Sequence, residues 1–171
     1  KQFQFNFDTP KVKTMSSAFE NCESLQEVTF AKDRKTASFD ASRMFAGCTS
    51  LEKVNTFAEK EDEISISSVS DVSFMFQGCE ALANYTVISF TTEIEKLTNF
   101  LEGTSMTSLT LKGIKEVESL EYAFKSMNNL KSLDISEIED NPINLKGFVS
   151  KCSHLTDLKM SKLINIIDLS Y

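Results

Sequence analysis

The sequence predicts an α/β repeat: a right-handed solenoid with short parallel strands on a concave face and turns, short helices or 3₁₀ segments on the other. Three observations point there. A string of the form Phe-x-x-Cys-x-x-Leu-x-x-apolar recurs along the chain, its leucine returns at near-regular intervals, and apolar residues recur every third position ahead of it. Self-similarity at a fixed period marks units that cannot bury their own apolar face and must stack to do so.

In residues 1–11, Phe3, Phe5 and Phe7 alternate with polar residues, which predicts an N-terminal cap strand. The template follows as Phe19-Glu20-Asn21-Cys22-Glu23-Ser24-Leu25-Gln26-Glu27-Val28-Thr29-Phe30. It returns at Phe45-Ala46-Gly47-Cys48-Thr49-Ser50-Leu51 and at Phe76-Gln77-Gly78-Cys79-Glu80-Ala81-Leu82, and more weakly from Phe124 to Ile135 and from Val149 to Met160. A degenerate copy at Leu101-Glu102-Gly103-Thr104 lacks both Phe and Cys, and its strand starts one residue early at Met106. The leading residues Leu25, Leu51, Leu82, Met106, Leu130 and Leu155 are 26, 31, 24, 24 and 25 apart by subtraction of their numbers. Upstream, Val12, Met15 and Ala18 set a period of three that returns at Val69, Val72 and Met75, at Ile94, Leu97 and Phe100, and at Val117, Leu120 and Ala123. That period suits tight turns or 3₁₀-like segments.

Short parallel strands are therefore predicted at Leu25–Phe30, Leu51–Thr56, Leu82–Val87, Met106–Leu111, Leu130–Ile135 and Leu155–Met160. Stacked about 4.8 Å apart, six such strands span ~25–30 Å. Period-two alternation turns Val28 and Phe30 inward and leaves Lys53, Asn55, Asn84, Thr86, Thr110, Asp134 and Lys159 outward on one shared face. Residues 31–40 and 57–68 exceed the unit, and the charge run Glu59, Glu61, Asp62 and Glu63 predicts a solvated bulge in the second. Leu163, Ile166 and Leu169, within 161–171, suggest a partial coil or C-terminal cap. The whole of 1–171 reads as one solenoid domain of about six repeats.

Ala18-Phe19-Glu20-Asn21-Cys22-Glu23-Ser24-Leu25 resembles the BspA-type leucine-rich repeat, an Ala-Phe-x-x-Cys-x-x-Leu string followed by a short strand. The Met-Phe-x-Gly-Cys forms at Met44-Phe45 and Met75-Phe76 resemble related surface-protein repeats, and the likeness covers roughly residues 12 to 160. The resemblance implies a cell-surface or secreted module that adheres to a protein or glycan, including host matrix. An extracellular location is expected on that basis, with any signal peptide already removed from a chain that begins Lys1-Gln2-Phe3.

Composition narrows the alternatives. The formal net charge is −7 and no Lys/Arg cluster occurs, so nucleic acid is not an expected partner. No apolar run of about 18 residues occurs, so no direct membrane insertion is expected. Cys22, Cys48, Cys79 and Cys152 form no Cys-x-x-Cys or Cys/His set, which argues against zinc. Each holds the same slot of its repeat, which predicts a buried, reduced ladder of free thiols rather than disulfides. His154 is the sole histidine and occupies a variable slot, so a surface place is expected and no catalytic triad. The acidic run lacks the spacing of a calcium loop. Asn84-Tyr85-Thr86 is a formal glycosylation sequon, relevant only in a eukaryotic source. No catalytic residue, metal or cofactor is expected, and the chain is expected to be monomeric. The leading functional expectation is a binding or adhesion module that uses the concave face. The alternative is a non-binding spacer within a larger surface protein, which the lack of aromatic anchors among the outward residues favours.

Overall fold

A computed structural model of the chain describes residues 1–5, 12–30, 38–55, 60–139, 143–161, 166–168 and 170. Twelve strands lie among them. They are β1 (Gln2–Phe5), β2 (Glu27–Phe30), β3 (Phe39–Asp40), β4 (Lys53–Asn55), β5 (Glu63–Ile66), β6 (Val69–Asp71), β7 (Val87–Phe90), β8 (Ser108–Lys112), β9 (Ser132–Ile135), β10 (Ile143–Asn144), β11 (Asp157–Met160) and β12 (Ile166–Asp168). All pairings are parallel. The fold is a parallel-strand β-solenoid.

The predicted row of strands is present but divided into two sheets, ordered β1-β2-β4 and β5-β7-β8-β9-β11. Alternation orients β5, β7, β8 and β9 as half-buried strands require: Ile64 and Ile66, Ile88 and Phe90, Leu109 and Leu111, and Leu133 and Ile135 point into the core, whereas in the outermost strand β11 Leu158 is exposed. Apolar side chains from Leu25 to Phe148 form one contiguous cluster. Within it Phe19 and Phe45 stack at 5.7 Å between ring centroids, and Phe45 stacks on Phe76 at the same distance. In the degenerate coil Leu101 takes the Phe slot, and Phe100 reaches Phe76 from the neighbouring position, 5.7 Å away and edge-on.

On the opposite side the expectation of short helices or 3₁₀ segments is corrected: no helix occurs among the described residues. The backbone explains why. Two columns of residues are left-handed, Ser17, Arg43, Phe74, Asn99 and Tyr122 in one and Asn21, Gly47, Gly78, Gly103, Ser126 and Lys151 in the other. A positive φ every fourth residue cannot sustain a right-handed helix. The amides instead alternate in their partners. Ser17, Phe19 and Asn21 donate to the next coil at Ser42, Met44 and Ala46, while Ala18, Glu20 and Cys22 close turns on Met15, Ser17 and Phe19. In this coil the amides that a broken helix would orphan thus have acceptors. The glycine of the Gly-Cys pair fills this left-handed slot, and Gly78 and Gly103 stack closely on the coils before them.

A further row precedes the turns. β3 pairs β6, β10 pairs β12, and single bridges join Thr14 to Asp40, Lys96 to Ser119 and Ser119 to Asn144. In this column Asp40, Asp71, Asn144 and Asp168 accept from the backbone amide two residues on, at 2.7–2.9 Å, and Thr14 and Ser119 do so through their hydroxyls. These side chains anchor the bend that starts each run of turns.

The strand predicted at Leu82–Val87 is corrected to β7, Val87–Phe90. The predicted bulge at 57–68 is corrected in part, because β5 lies inside it. Both changes come from the long coil between Leu51 and Leu82. Its extra residues let one coil contribute two strands, β4 stacked on β2 and β5 stacked on β7. Glu59 and Phe57 lie outside the described residues, as do Phe7, Leu163 and Leu169. β1 is the outermost strand of its sheet.

Candidate functional site

The strand face is built by register. Lys53 lies beside Glu27, and Asn55 beside Thr29. In the longer sheet Glu63, Val87, Thr110, Asp134 and Lys159 form one outward row across five strands. The structure therefore brings Thr110, Asp134 and Lys159 into line, with Lys159 Nζ 4.0 Å from Asp134. Lys53 and Asn55 sit on the other sheet. Asn84 and Thr86 lie on neither row, since the strand starts at Val87, and both are exposed at the bend that leads into it.

Much of this face binds itself. Asn55 donates to Glu27 at 2.7 Å and to the Thr29 hydroxyl at 2.9 Å, Ser89 donates to Glu63, and Ser132 donates to Asp157. The Ser136 hydroxyl and amide both donate to Asp134, and with Lys159 nearby they hold its carboxyl below the ordinary range.

The break between the sheets is where the face changes character. Val54 points its amide and carbonyl toward the place where the next strand would lie. The Tyr85 side chain occupies that place. Its hydroxyl accepts from the Val54 amide at 2.7 Å and donates to the Val54 carbonyl at 3.1 Å. One phenol thus replaces the two ladder bonds that a strand would make. Tyr85 is 4% exposed, and burial pushes its pKa above the usual value. Beside it opens a cleft of about 520 Å³, lined by Glu52, Lys53 and Asn55 from one sheet and by Glu61, Asp62 and Asn84 from the other side. Across its rim Thr86 donates to Asp62, and that bond lowers the Asp62 pKa. Beneath the break a second, apolar cavity lies among Val54, Ile64, Ile66, Val69 and Phe76. Sequence patterning places Lys53, Asn55 and Asn84 outward but does not reveal that they converge. The signal was the 31-residue spacing together with a tyrosine where the other copies carry an aliphatic strand residue.

The thiols are free, as the slot argument predicts. Their burial is uneven, a correction to the uniformly buried ladder: Cys48 and Cys79 are buried, Cys152 is half-buried and Cys22 is exposed. The Sγ of Cys48, Cys79 and Cys152 each donates to a carbonyl one coil back, at Phe19, Phe45 and Phe124. Burial raises the Cys48 thiol to about 11 and pushes Cys79 and Cys152 up as well. Such thiols pack as small apolar groups and are poor nucleophiles. Thr104 fills the same slot in the degenerate coil and bonds its own coil at Leu101. His154 is exposed, with Nδ1 at the Asn128 carbonyl and near the Ser153 hydroxyl. Among the described residues no group of three or more His, Cys, Asp or Glu is placed to hold a metal ion. No described helix is long and apolar enough to cross a membrane.

The turn side carries a separate network. Glu102 accepts from Lys125 at 2.8 Å, from Gln77 at 2.8 Å and from Asn99. Burial alone would raise its pKa, but these donors outweigh it and hold the carboxyl below the ordinary value. Arg43 lies 4.2 Å above the Phe74 ring.

This coil geometry coincides with two family models. The model described as "BspA type Leucine rich repeat region (6 copies)" matches residues 63–171. The model described as "Mycoplasma protein of unknown function, DUF285" matches residues 2–113. The chain belongs to the BspA-type leucine-rich repeat family. The two matches overlap at residues 63–113. No curated protein and no solved structure matches the chain.

Proposed function

We propose that this leucine-rich repeat solenoid is a monomeric interaction module of a cell-surface or secreted protein, holding a protein or glycan partner, host matrix included, against its strand face. One observation carries the reading. The outward row Glu63-Val87-Thr110-Asp134-Lys159 crosses five strands in register, so side chains distant in sequence present one continuous surface, polar at every position but Val87. A rigid parallel ladder holds such a surface with little ordering cost on binding. Family membership supports an interaction role by analogy of fold.

The spacer reading rests on a specific observation too: none of the described outward strand residues is aromatic, and aromatic anchors dominate most binding hot spots. The experiment that separates the two is binding of the purified chain to immobilised matrix proteins and glycans. The Asn84→Arg/Asp134→Arg and Thr110→Arg variants are run beside it. Saturable binding that Thr110→Arg abolishes supports the strand face as the contact surface. Binding to nothing, by the wild-type chain at either low or high salt, overturns the interaction reading in favour of the spacer. Light scattering after size exclusion tests the monomer, and a stable dimer would contradict it.

A further inference from the structure

Resting on that interaction reading, we infer that the cleft at the sheet break receives a lysine or arginine side chain from an extended segment of the partner.

The break is a built feature rather than a fault in the ladder. An edge strand presents bare amides and carbonyls to any passing chain. Here the Tyr85 hydroxyl satisfies both Val54 groups, so a partner strand cannot add to β4 at this point. What remains open is side-chain chemistry. The cleft volume of about 520 Å³ lies within the ~300–1,000 Å³ of small-ligand sites, enough for a side chain and its backbone.

The lining selects for positive charge. Glu52, Glu61 and Asp62 face the cleft with Lys53 among them, and Lys60 lies near enough to Asp62 to act on its charge, which leaves the acids in excess. Nearby, Glu27 lies directly beside Lys53 in the ladder, and Glu63 follows Asp62 as the first residue of β5. Asn55 spends its amide donors on Glu27 and Thr29, so only its carbonyl oxygen is left to offer, an acceptor. Among the described residues Glu52, Glu61 and Asn84 make no side-chain hydrogen bond, in contrast to the self-paired positions along the strand rows. An ammonium or guanidinium needs acceptors on several sides, and the cleft supplies them from both sheets. A sugar would need a ring to stack on, and the only aromatic ring here, Tyr85, is buried with its hydroxyl engaged. A bare divalent ion would need converging carboxylates, which the described residues do not provide.

The test is an NMR titration of the labelled chain with N-acetyl-Gly-Arg-Gly-amide, beside the Gln and Glu versions of the same peptide and calcium chloride. The side-chain amide resonances of Asn55 and Asn84 are read. The arginine peptide is expected to shift both saturably. Glu52→Gln/Glu61→Gln is expected to weaken it several-fold, and Lys53→Gln to strengthen it. Equal shifts from the Gln peptide, no saturation, or tighter binding of calcium at the same resonances would each overturn the inference. Shifts spread evenly to remote acids such as Glu116 and Glu118 would do so as well. The two readings fail separately. A protein partner lost in Thr110→Arg but bound normally by Glu52→Gln/Glu61→Gln leaves the interaction role standing and removes the cleft from it.

Discussion

The stack from β7 to β11 and the coil that holds β4 and β5 solve one problem in two ways. In the first, each strand satisfies its edge with the next strand, and buried side chains stack in register, Ile88 on Leu111 and Leu109 on Leu133. In the second, the ladder stops at β4 and restarts at β5, and one tyrosine hydroxyl closes the gap. Repetition makes the regular stack robust, because every bond has several equivalents nearby. The break has no equivalents. Its backbone rests on a single side chain, and there the strand face folds inward around polar groups from both sides of the break. Departure from the repeat, more than the repeat, gives this solenoid an individual surface.

The largest predicted effect tests the regular half. Leu130 is fully buried, and Leu130→Ala should cost about 2–5 kcal/mol in chemical denaturation. A loss below about 1 kcal/mol would mean that the stack relaxes around the cavity far more than a close-packed core does. The next tests the break directly. Tyr85→Phe keeps the ring and strands the Val54 amide and carbonyl, for an expected cost of about 1–3 kcal/mol. An unchanged stability would show that water or a neighbour satisfies Val54 and that the phenol is incidental.

A smaller effect belongs to the turn side. Glu102→Gln should cost about 1 kcal/mol at neutral pH, since it removes the charge that Lys125 meets at 2.8 Å. The folded carboxylate titrates lower than the unfolded one, whose pKa is about 4.3. Its contribution is therefore complete above that value and is lost as pH falls through the lower, folded pKa. The gap between wild type and variant should close on acidification. A gap that persists at low pH would assign the effect to packing rather than to charge.

How much of this was legible depends on which physical signal each element left. The Phe and Cys ladders were readable because identical residues in identical slots mean stacking. The strands after Leu25, Leu51, Met106, Leu130 and Leu155 fell within two residues of their predicted starts for the same reason. β7 was misplaced because Leu82-Ala83-Asn84-Tyr85 imitates the start of a strand, while Tyr85 is held sideways against Val54 by a bond no periodicity reports. β5 was hidden by Glu61, Asp62 and Glu63, whose charge signals solvent even though Ile64 and Ile66 alternate correctly behind them. The bend-anchoring column was in plain view and unread. Thr14, Asp40, Asp71, Ser119 and Asn144 each stand five residues before the Phe slot, a small polar residue in a fixed place. Helices were expected from the period of three alone; only backbone geometry distinguishes a three-residue turn with a left-handed step from a 3₁₀ segment. Of the proposed contact residues, Thr110, Asp134 and Lys159 were placed in one row by alternation, whereas the meeting of Lys53, Asn55 and Asn84 at one cleft depends on the break and could not be read from period two.

The smallest perturbation sharpens the comparison most, because it asks whether the break opens on its own. Cys48 and Cys79 are buried in the two coils that meet there, while Cys22 is exposed. A thiol reagent under native conditions should label Cys22 at once and the buried pair only through opening. When reclosing outpaces labelling, the rate of that slow phase follows the free energy of the opening that exposes the thiol. If Tyr85 pins the junction, Tyr85→Phe should speed labelling of Cys48 and Cys79 by about tenfold per ~1.4 kcal/mol lost. Cys22 would keep its rate. Leu130→Ala then becomes the control. A loss at least as large in the regular stack should speed the same two thiols less, because local opening at the break would not pass through Leu130. Equal acceleration per unit of lost stability in both variants would show that the solenoid opens only as a whole, and that the break divides its sheet but not its cooperativity.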